Sequence, residues 1–258
     1  MPKFAANLSM MFTEWDFLDR FQAAADQGFT GVEFLFPYDH SADVVANARE
    51  KAGVEQALFN LPPGRAENGE RGLAAIPGRE KAFENALAKA IDYAGIIGCP
   101  RLHVMAGIPD ENTPESQVAE TFVGNLLRAS EAAAPHGIDM LIEPINSRDI
   151  PGYYLNYVEE AAAIIVGIGA PNLKLQFDIY HRQIMSGDVS VSLATYLPLV
   201  GHIQTASVPD RNEPMSGELN DWAVFDLLDE LGYAGWIGCE YRPKAGTVEG
   251  LDWIARGR

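Results

Sequence analysis

A chain of 258 residues, 47% of them hydrophobic, has enough apolar side chain for one large core. Its formal charge of −17 excludes a nucleic-acid partner, which would need a basic face. No apolar run approaches the roughly 18 residues of a membrane-spanning helix, and two cysteines, Cys99 and Cys239, cannot build a disulfide framework, so a cytoplasmic location is expected.

The first element, within MPKFAANLSMMF, reads as a strand over 3–9. Its apolar run is too short for a signal peptide, and Glu14 and Asp16 follow at once. A helical face then recurs at Phe17, Leu18, Phe21, Ala24 and Ala25, with Gly28 as its stop. Strands are expected over 31–36 and 55–61, the second followed by a long loop over 62–78. A fourth strand, 101–106, precedes a helix with Val118, Phe122, Leu126, Ala129 and Ala133 on one face. Thr113 is expected to cap that helix, with Pro114 as its first residue. Strands over 138–145, 173–179 and 200–206 come next, and a second long loop over 207–219. A helix with Val224, Leu227, Leu228 and Leu231 on its face, stopped by Gly232, leads to a last strand over 235–241. Runs such as GVEFLF and IDMLIEPI are nearly all apolar, as strands buried on both faces are. Eight strand–helix units in a chain of this length predict a single (β/α)8 barrel, one domain over 1–258. An open doubly wound sheet is the weaker choice, because no glycine fingerprint follows the first strand.

A carboxylate near the end of an apolar strand is costly unless something pairs with it. Glu143 in MLIEPI, Asp178 in LQFDIYH and Glu240 in IGCEY are three such cases, and Gln204 in HIQTAS is a polar counterpart. They fall on strands five, six, eight and seven, whose ends surround one point in a closed barrel. Three carboxylates and an amide oxygen form a hard, all-oxygen set that suits one divalent ion, Mg2+ or Mn2+. His202, two residues before Gln204, is expected to lie deeper as a structural residue. Trp15, Phe36 and Phe59 are expected in the core, and Cys239 should face the helices.

The stretches ANLSMMF (6–12), GVEFLFPYD (31–39), NLPPG (60–64), GERGLAAIPGRE (69–80), LIEPIN (141–146), DIPGYYL (149–155), LKLQFDIYH (173–181) and WIGCEYRP (236–243) run nearly end to end. Together they resemble the hydroxypyruvate isomerase family of the xylose-isomerase-like barrels. The resemblance implies metal ligation by Glu143, Asp178, Gln204 and Glu240, with Glu143 and Glu240 as the acid–base pair. It implies interconversion of hydroxypyruvate and tartronate semialdehyde through an enediolate. Related ketose 3-epimerases usually carry histidine where Gln204 stands, so Gln204 favours the isomerase branch. A 2-oxo-tetronate isomerase or a ketose 3-epimerase would use the same site. A DNA hydrolase of the endonuclease IV type would need many histidines and a basic face, and a non-catalytic sugar-acid binder need not keep two acid–base glutamates.

Within the resemblance, His181 corresponds to a histidine that contacts substrate. Arg211 and Arg71, each in a long loop above the barrel, are the candidates for a substrate carboxylate, which a bidentate guanidinium suits. Glu213, Lys244 and Arg148 stand near the edge without an assigned role. The expected partner is a small 2-oxo or hydroxy acid, with no nucleic acid and no membrane, and a homo-oligomer is admissible.

Overall fold

The computed structural model describes residues 2–255. The bounds expected for the domain, 1–258, therefore include four residues, 1 and 256–258, that lie outside the described ones.

Eight parallel strands close on themselves: β1 (Lys3–Asn7), β2 (Gly31–Glu33), β3 (Glu55–Asn60), β4 (Arg101–His103), β5 (Asp139–Ile142), β6 (Leu173–Asp178), β7 (Val200–Thr205) and β8 (Trp236–Cys239), with β8 pairing back onto β1. Each strand is followed by helix: α1 (Arg20–Asp26), α2 (Ala42–Ala52), α3 (Glu80–Ile97), α4 (Glu115–Ala133), α5 (Val158–Ile168), the pair α6 (Ile179–Met185) and α7 (Val189–Tyr196), α8 (Asp221–Glu230) and α9 (Asp252–Ala255). This is a (β/α)8 barrel, and all eight expected strands are present with shorter ends.

Strand period two sorts the side chains into two sets. Val32, Phe59, Leu102, Met140, Ile142, Leu175, Phe177, Ile203, Ile237 and Cys239 join the buried apolar layer beneath the helices. Cys239 thus takes the side expected of it. The helices complete that layer with one stripe each. On α3 it runs Phe83, Ala86, Leu87, Ala90, Ile91, Ala94 and Ile97, and Gly98 ends the helix at φ 66°. Truncating a fully buried member such as Phe177 to alanine costs about 3–5 kcal/mol.

The other set points into the barrel and is largely polar: Asn7, Glu33, Asn60, His103, Gln176, Asp178, His202 and Gln204, all buried. Below them Trp236 lies across Gly31, where an added Cβ would come within 2.7 Å of the indole. Glycine is required there so that the ring can occupy the floor of the barrel.

Three expectations about local structure are corrected. Helix α4 starts at Glu115 and not at Pro114. Pro114 flanks it at ψ 130°, outside helical conformation, and its carbonyl accepts the amides of Gln117 and Val118, while no side-chain cap is formed. Trp15 and Phe36 are 41% and 39% exposed, so neither belongs to the core. Phe36 instead lines the cavity above the barrel, where an apolar wall has a use. Phe59 is fully buried as expected.

Candidate active site

Glu143 and Glu240 are the residues that immediately follow β5 and β8, and Asp178 is the last residue of β6. All three are at most 5% exposed. Asp178 serves two elements at once. One oxygen, Oδ1, accepts the Tyr180 amide at 2.8 Å and caps α6, which fixes the carboxylate and leaves Oδ2 buried without a hydrogen bond. Glu143 Oε1 is likewise buried and unpartnered. Ligand atoms of Glu143, Asp178 and His181 lie within 4.8 Å of one another. Two buried carboxyl oxygens this close, neither with a hydrogen bond, are a poor arrangement for a chain on its own and a suitable one around a cation. The donor set therefore fits a divalent metal.

His181 completes the group by position but not by proton state. The Asn146 backbone amide and side-chain amide both approach its Nδ1, at 3.3 and 2.6 Å. Asn146 Oδ1 accepts the Asp149 amide at 2.8 Å, which settles the orientation of the Asn146 side chain. Both groups facing Nδ1 are thus donors, and the ring carries its proton on Nε2. That N–H points at Glu143 Oε1 (3.8 Å) and Asp178 Oδ2 (3.6 Å). Burial, reinforced by Arg211, holds the imidazole neutral, well below its usual value. His181 is accordingly a hydrogen-bond donor toward the site, a poor metal ligand through Nε2.

Glu240 is held differently. Arg211 Nη2 lies 2.5 Å from Glu240 Oε2 and 3.6 Å from Asp178 Oδ2, and Nη1 lies 3.5 Å from Asp149 Oδ2. The guanidinium also rests on the Tyr180 ring at 4.9 Å. Arg211 takes φ 56°, a left-handed backbone that costs a non-glycine residue about 1–2 kcal/mol. Its buried ion pairs offset that cost, and those carboxylates raise its proton affinity against the opposing effect of burial.

Burial dominates the carboxyl groups. It pushes Glu143 well above the ordinary carboxylate range, helped by the charges of Glu240 and Asp178. It raises Glu240 to about 8 and Asp178 to about 6, with the Arg211 charge opposing in both. Glu240 and Asp178 are thereby brought nearer neutrality than free carboxyl groups, the direction that acid–base chemistry requires.

Gln204 pairs in register with Asp178 on one side and Gly238 on the other. Its Nε2 donates to Glu33 at 2.8 Å and its Oε1 accepts Gln176 Nε2 at 2.6 Å. His202 is fully buried beneath it and bound to Glu33.

Above these residues opens a cavity of about 460 Å³. Glu143, Glu240, His181 and His103 form its floor side, and Leu35, Phe36, Met105 and Ile145 supply apolar walls. Arg71 and Arg242 stand at its exposed rim. Arg71 donates to the Glu70 carbonyl at 3.0 Å, whereas the Arg242 guanidinium has no hydrogen bond or ion pair among the described residues. Glu70, the anchor of the 62–78 loop, binds Arg79 through both oxygens at 2.7 and 3.2 Å. Of the edge residues, Glu213 accepts the Lys244 amide and Arg148 bridges Tyr180 and the Pro209 carbonyl, so they join loop to loop.

The structure thus gathers Glu143, Asp178, His181, Arg211 and Glu240 at one strand-end cluster, with Gln204 beside Asp178 in the β6–β7 register and Arg71 at the rim. Sequence reasoning passed over Glu33, His103 and Arg242. His103 Nδ1 lies 3.5 Å from Glu143 Oε2, and burial drives its proton affinity down to about 3. Glu33 carried the same signal as Glu143, an acid inside an apolar strand.

A parallel barrel with buried acids and a neutral histidine at its strand ends defines a metal-capable barrel enzyme. Residues 21–257 match the family described as xylose isomerase-like TIM barrel. The chain is 53% identical over 254 residues to the 2-oxo-tetronate isomerase of Cupriavidus necator and 42% identical to the hydroxypyruvate isomerase of Escherichia coli, covering 98% of each chain in both comparisons. A crystal structure from Brucella melitensis, described as an AP endonuclease of family 2, superposes with a TM-score of 0.98 at 47% identity over 100% of both chains. The chain belongs to the xylose isomerase-like TIM barrel family and, within it, to the hydroxypyruvate isomerase group. It is an isomerase.

Proposed function

We propose that the chain interconverts the carbonyl and hydroxyl positions of a short 2-oxo or hydroxy acid by moving a proton between adjacent carbons. Hydroxypyruvate and tartronate semialdehyde are the three-carbon pair. A four-carbon 2-oxo-tetronate is favoured as a second reading by the 53% identity to an enzyme of that name. The observation that carries the proposal is the pair of buried oxygens, Glu143 Oε1 and Asp178 Oδ2, left without hydrogen bonds beside a neutral His181. A single histidine in that cluster and a chain charge of −17 oppose the nuclease reading.

In this reading Glu143, Asp178, Gln204 and Glu240 hold one divalent ion, Mg2+ or Mn2+. When bound it supplies Lewis-acid stabilisation of the enediolate. Glu143 and Glu240, on strands β5 and β8, are the acid–base pair: one takes the proton from one carbon and the other returns a proton to its neighbour. His181 Nε2–H donates to a substrate oxygen. Arg211 restrains Glu240 and is already engaged by three carboxylates, so its charge is largely committed. Arg242 and Arg71 at the rim are then the cations that read the substrate carboxylate.

Metal-stripped and Mn2+-reloaded protein should be assayed with hydroxypyruvate, 2-oxo-tetronates and neutral ketoses. Turnover of an acid that returns with Mn2+ supports the reading. Turnover of neutral ketoses alone overturns the acid substrate, and full activity of stripped protein overturns the metal.

A further inference from the structure

Glu33 lies in the middle of the barrel, 1% exposed, and no step of the chemistry above uses it. Its carboxylate has three neighbours from two other strands. Oε1 accepts Asn7 Nδ2 at 2.9 Å and Gln204 Nε2 at 2.8 Å, and Oε2 meets His202 Nε2 at 2.6 Å. The far wall is cut away for it. A Cβ on Gly238 would stand 2.2 Å from Glu33 Oε2 and 2.4 Å from its Cδ, so only glycine leaves room on β8 for this carboxylate. An acid inside a barrel, held by three polar neighbours and given space by a glycine, has a defined place in the design.

The consequence falls on Gln204. An amide has a donor end and an acceptor end of nearly equal size, and nothing in its shape decides which faces the site. Glu33 Oε1 takes the NH2 of Gln204, which turns the amide oxygen away from the Glu33 carboxylate. On β6, the strand that carries Asp178, Gln176 Nε2 donates to that same oxygen at 2.6 Å, but Gln176 is an amide that can present either end, so the selection falls to Glu33. We infer that Glu33 is a positioning residue that holds the NH2 end of the Gln204 amide, in space provided by Gly238, and so keeps the oxygen as the end available to a metal. This rests on the reading of Gln204 as an oxygen ligand. A glutamine at position 33 would lose the selection, because its amide can donate as well as accept.

The test is Mn2+ binding to metal-stripped protein by calorimetry, with thermal unfolding of the same samples. Glu33→Gln should weaken Mn2+ binding by about 10- to 100-fold, the usual cost of losing a group that orients a ligand. The exchanged pair Glu33→Gln/Gln204→Glu should recover most of that loss, since a carboxylate at 204 presents oxygen either way round. If Glu33→Gln folds and binds Mn2+ as the native protein does, the inference is overturned. Should the single variant fail to fold, the exchanged pair decides alone: folded with near-native Mn2+ affinity it supports the inference, and unfolded or weak-binding it overturns it. Gln204→Ala separates the two claims. Weak binding there with native binding in Glu33→Gln sinks the positioning role only, whereas native binding in Gln204→Ala sinks the ligand reading and this inference with it.

Discussion

Two layers of buried polar groups lie one above the other in the same barrel, and their hydrogen bonding differs. In the lower layer the Glu33 carboxylate is met by Asn7, Gln204 and His202, and the atoms left over, Gln176 Oε1 and His202 Nδ1, are on an amide and an imidazole. In the upper layer the atoms left over are Glu143 Oε1 and Asp178 Oδ2, both on carboxylates, and Glu240 is held by an arginine from a loop. Buried acids whose partners come from neighbouring strands serve the fold. Buried acids left open are kept for something the chain itself does not contain.

The largest effect should come from the upper layer. Glu240→Gln keeps the shape of the side chain but cannot exchange a proton, and turnover should fall by at least about 10²-fold. Near-normal turnover with unchanged metal content would remove Glu240 from the acid–base pair. In the lower layer Gly238→Ala drives a methyl into the Glu33 carboxylate and should lower stability by about 1–3 kcal/mol, read from denaturant unfolding. Unchanged stability would show that the layer has slack and that Glu33 is not confined.

The comparison is sharpest where the two layers should respond with opposite sign. Glu143→Gln removes an open buried acid and should stabilise the metal-free protein by about 0.5–2 kcal/mol while activity is lost. A metal-free Glu143→Gln that melts below the native protein would mean the upper layer is held together as the lower one is. Arg242→Ala acts at the rim and should raise KM for a 2-oxo acid by about three- to tenfold, with little change for a neutral ketose. Equal shifts for both substrates would return the carboxylate to Arg71 or Arg211.

The smallest effect concerns the loop over the mouth. Hydrogen bonds from Arg79, then from the Arg65 amide, hold Glu70 down to about 2. A depressed carboxyl stabilises fully above its ordinary value near 4.5, and the contribution fades as pH falls from there toward 2. Protection of the Arg65 amide, bonded to Glu70 Oε2 and measured against an unstructured peptide at the same pH, should therefore be lost across that window. Glu70→Gln should show low protection of that amide at every pH. A flat profile in the native protein would mean the loop is anchored elsewhere.

Strands such as those in GVEFLF and IDMLIEPI are legible because parallel strands covered on both faces tend to nearly continuous apolar runs, which leaves an acid such as Glu143 conspicuous. Glu33 stands in such a run too, in GVEFLF, and went unread because no polar neighbour in sequence points to Asn7 or His202, which come from other strands. Arg242 was hidden for a similar reason: the arginines singled out were in long loops, and it sits two residues past an acid in WIGCEYRP. The proton position on His181 depends on Asn146 and Asp149, and no spacing rule would bring those groups together. Phe36 and Trp15 were taken for core because aromatic residues usually are.

The floor formed by Trp236 over Gly31, with the Glu33 layer packed above it, fills the lower barrel, and the cavity meets solvent at the rim where Arg71 and Arg242 are exposed. Reactant and product are isomers with the same atoms and the same charge, and each must pass the same rim to enter or leave. A departing product therefore holds the doorway against the next reactant. Net direction is set by whichever of the two the surroundings remove faster.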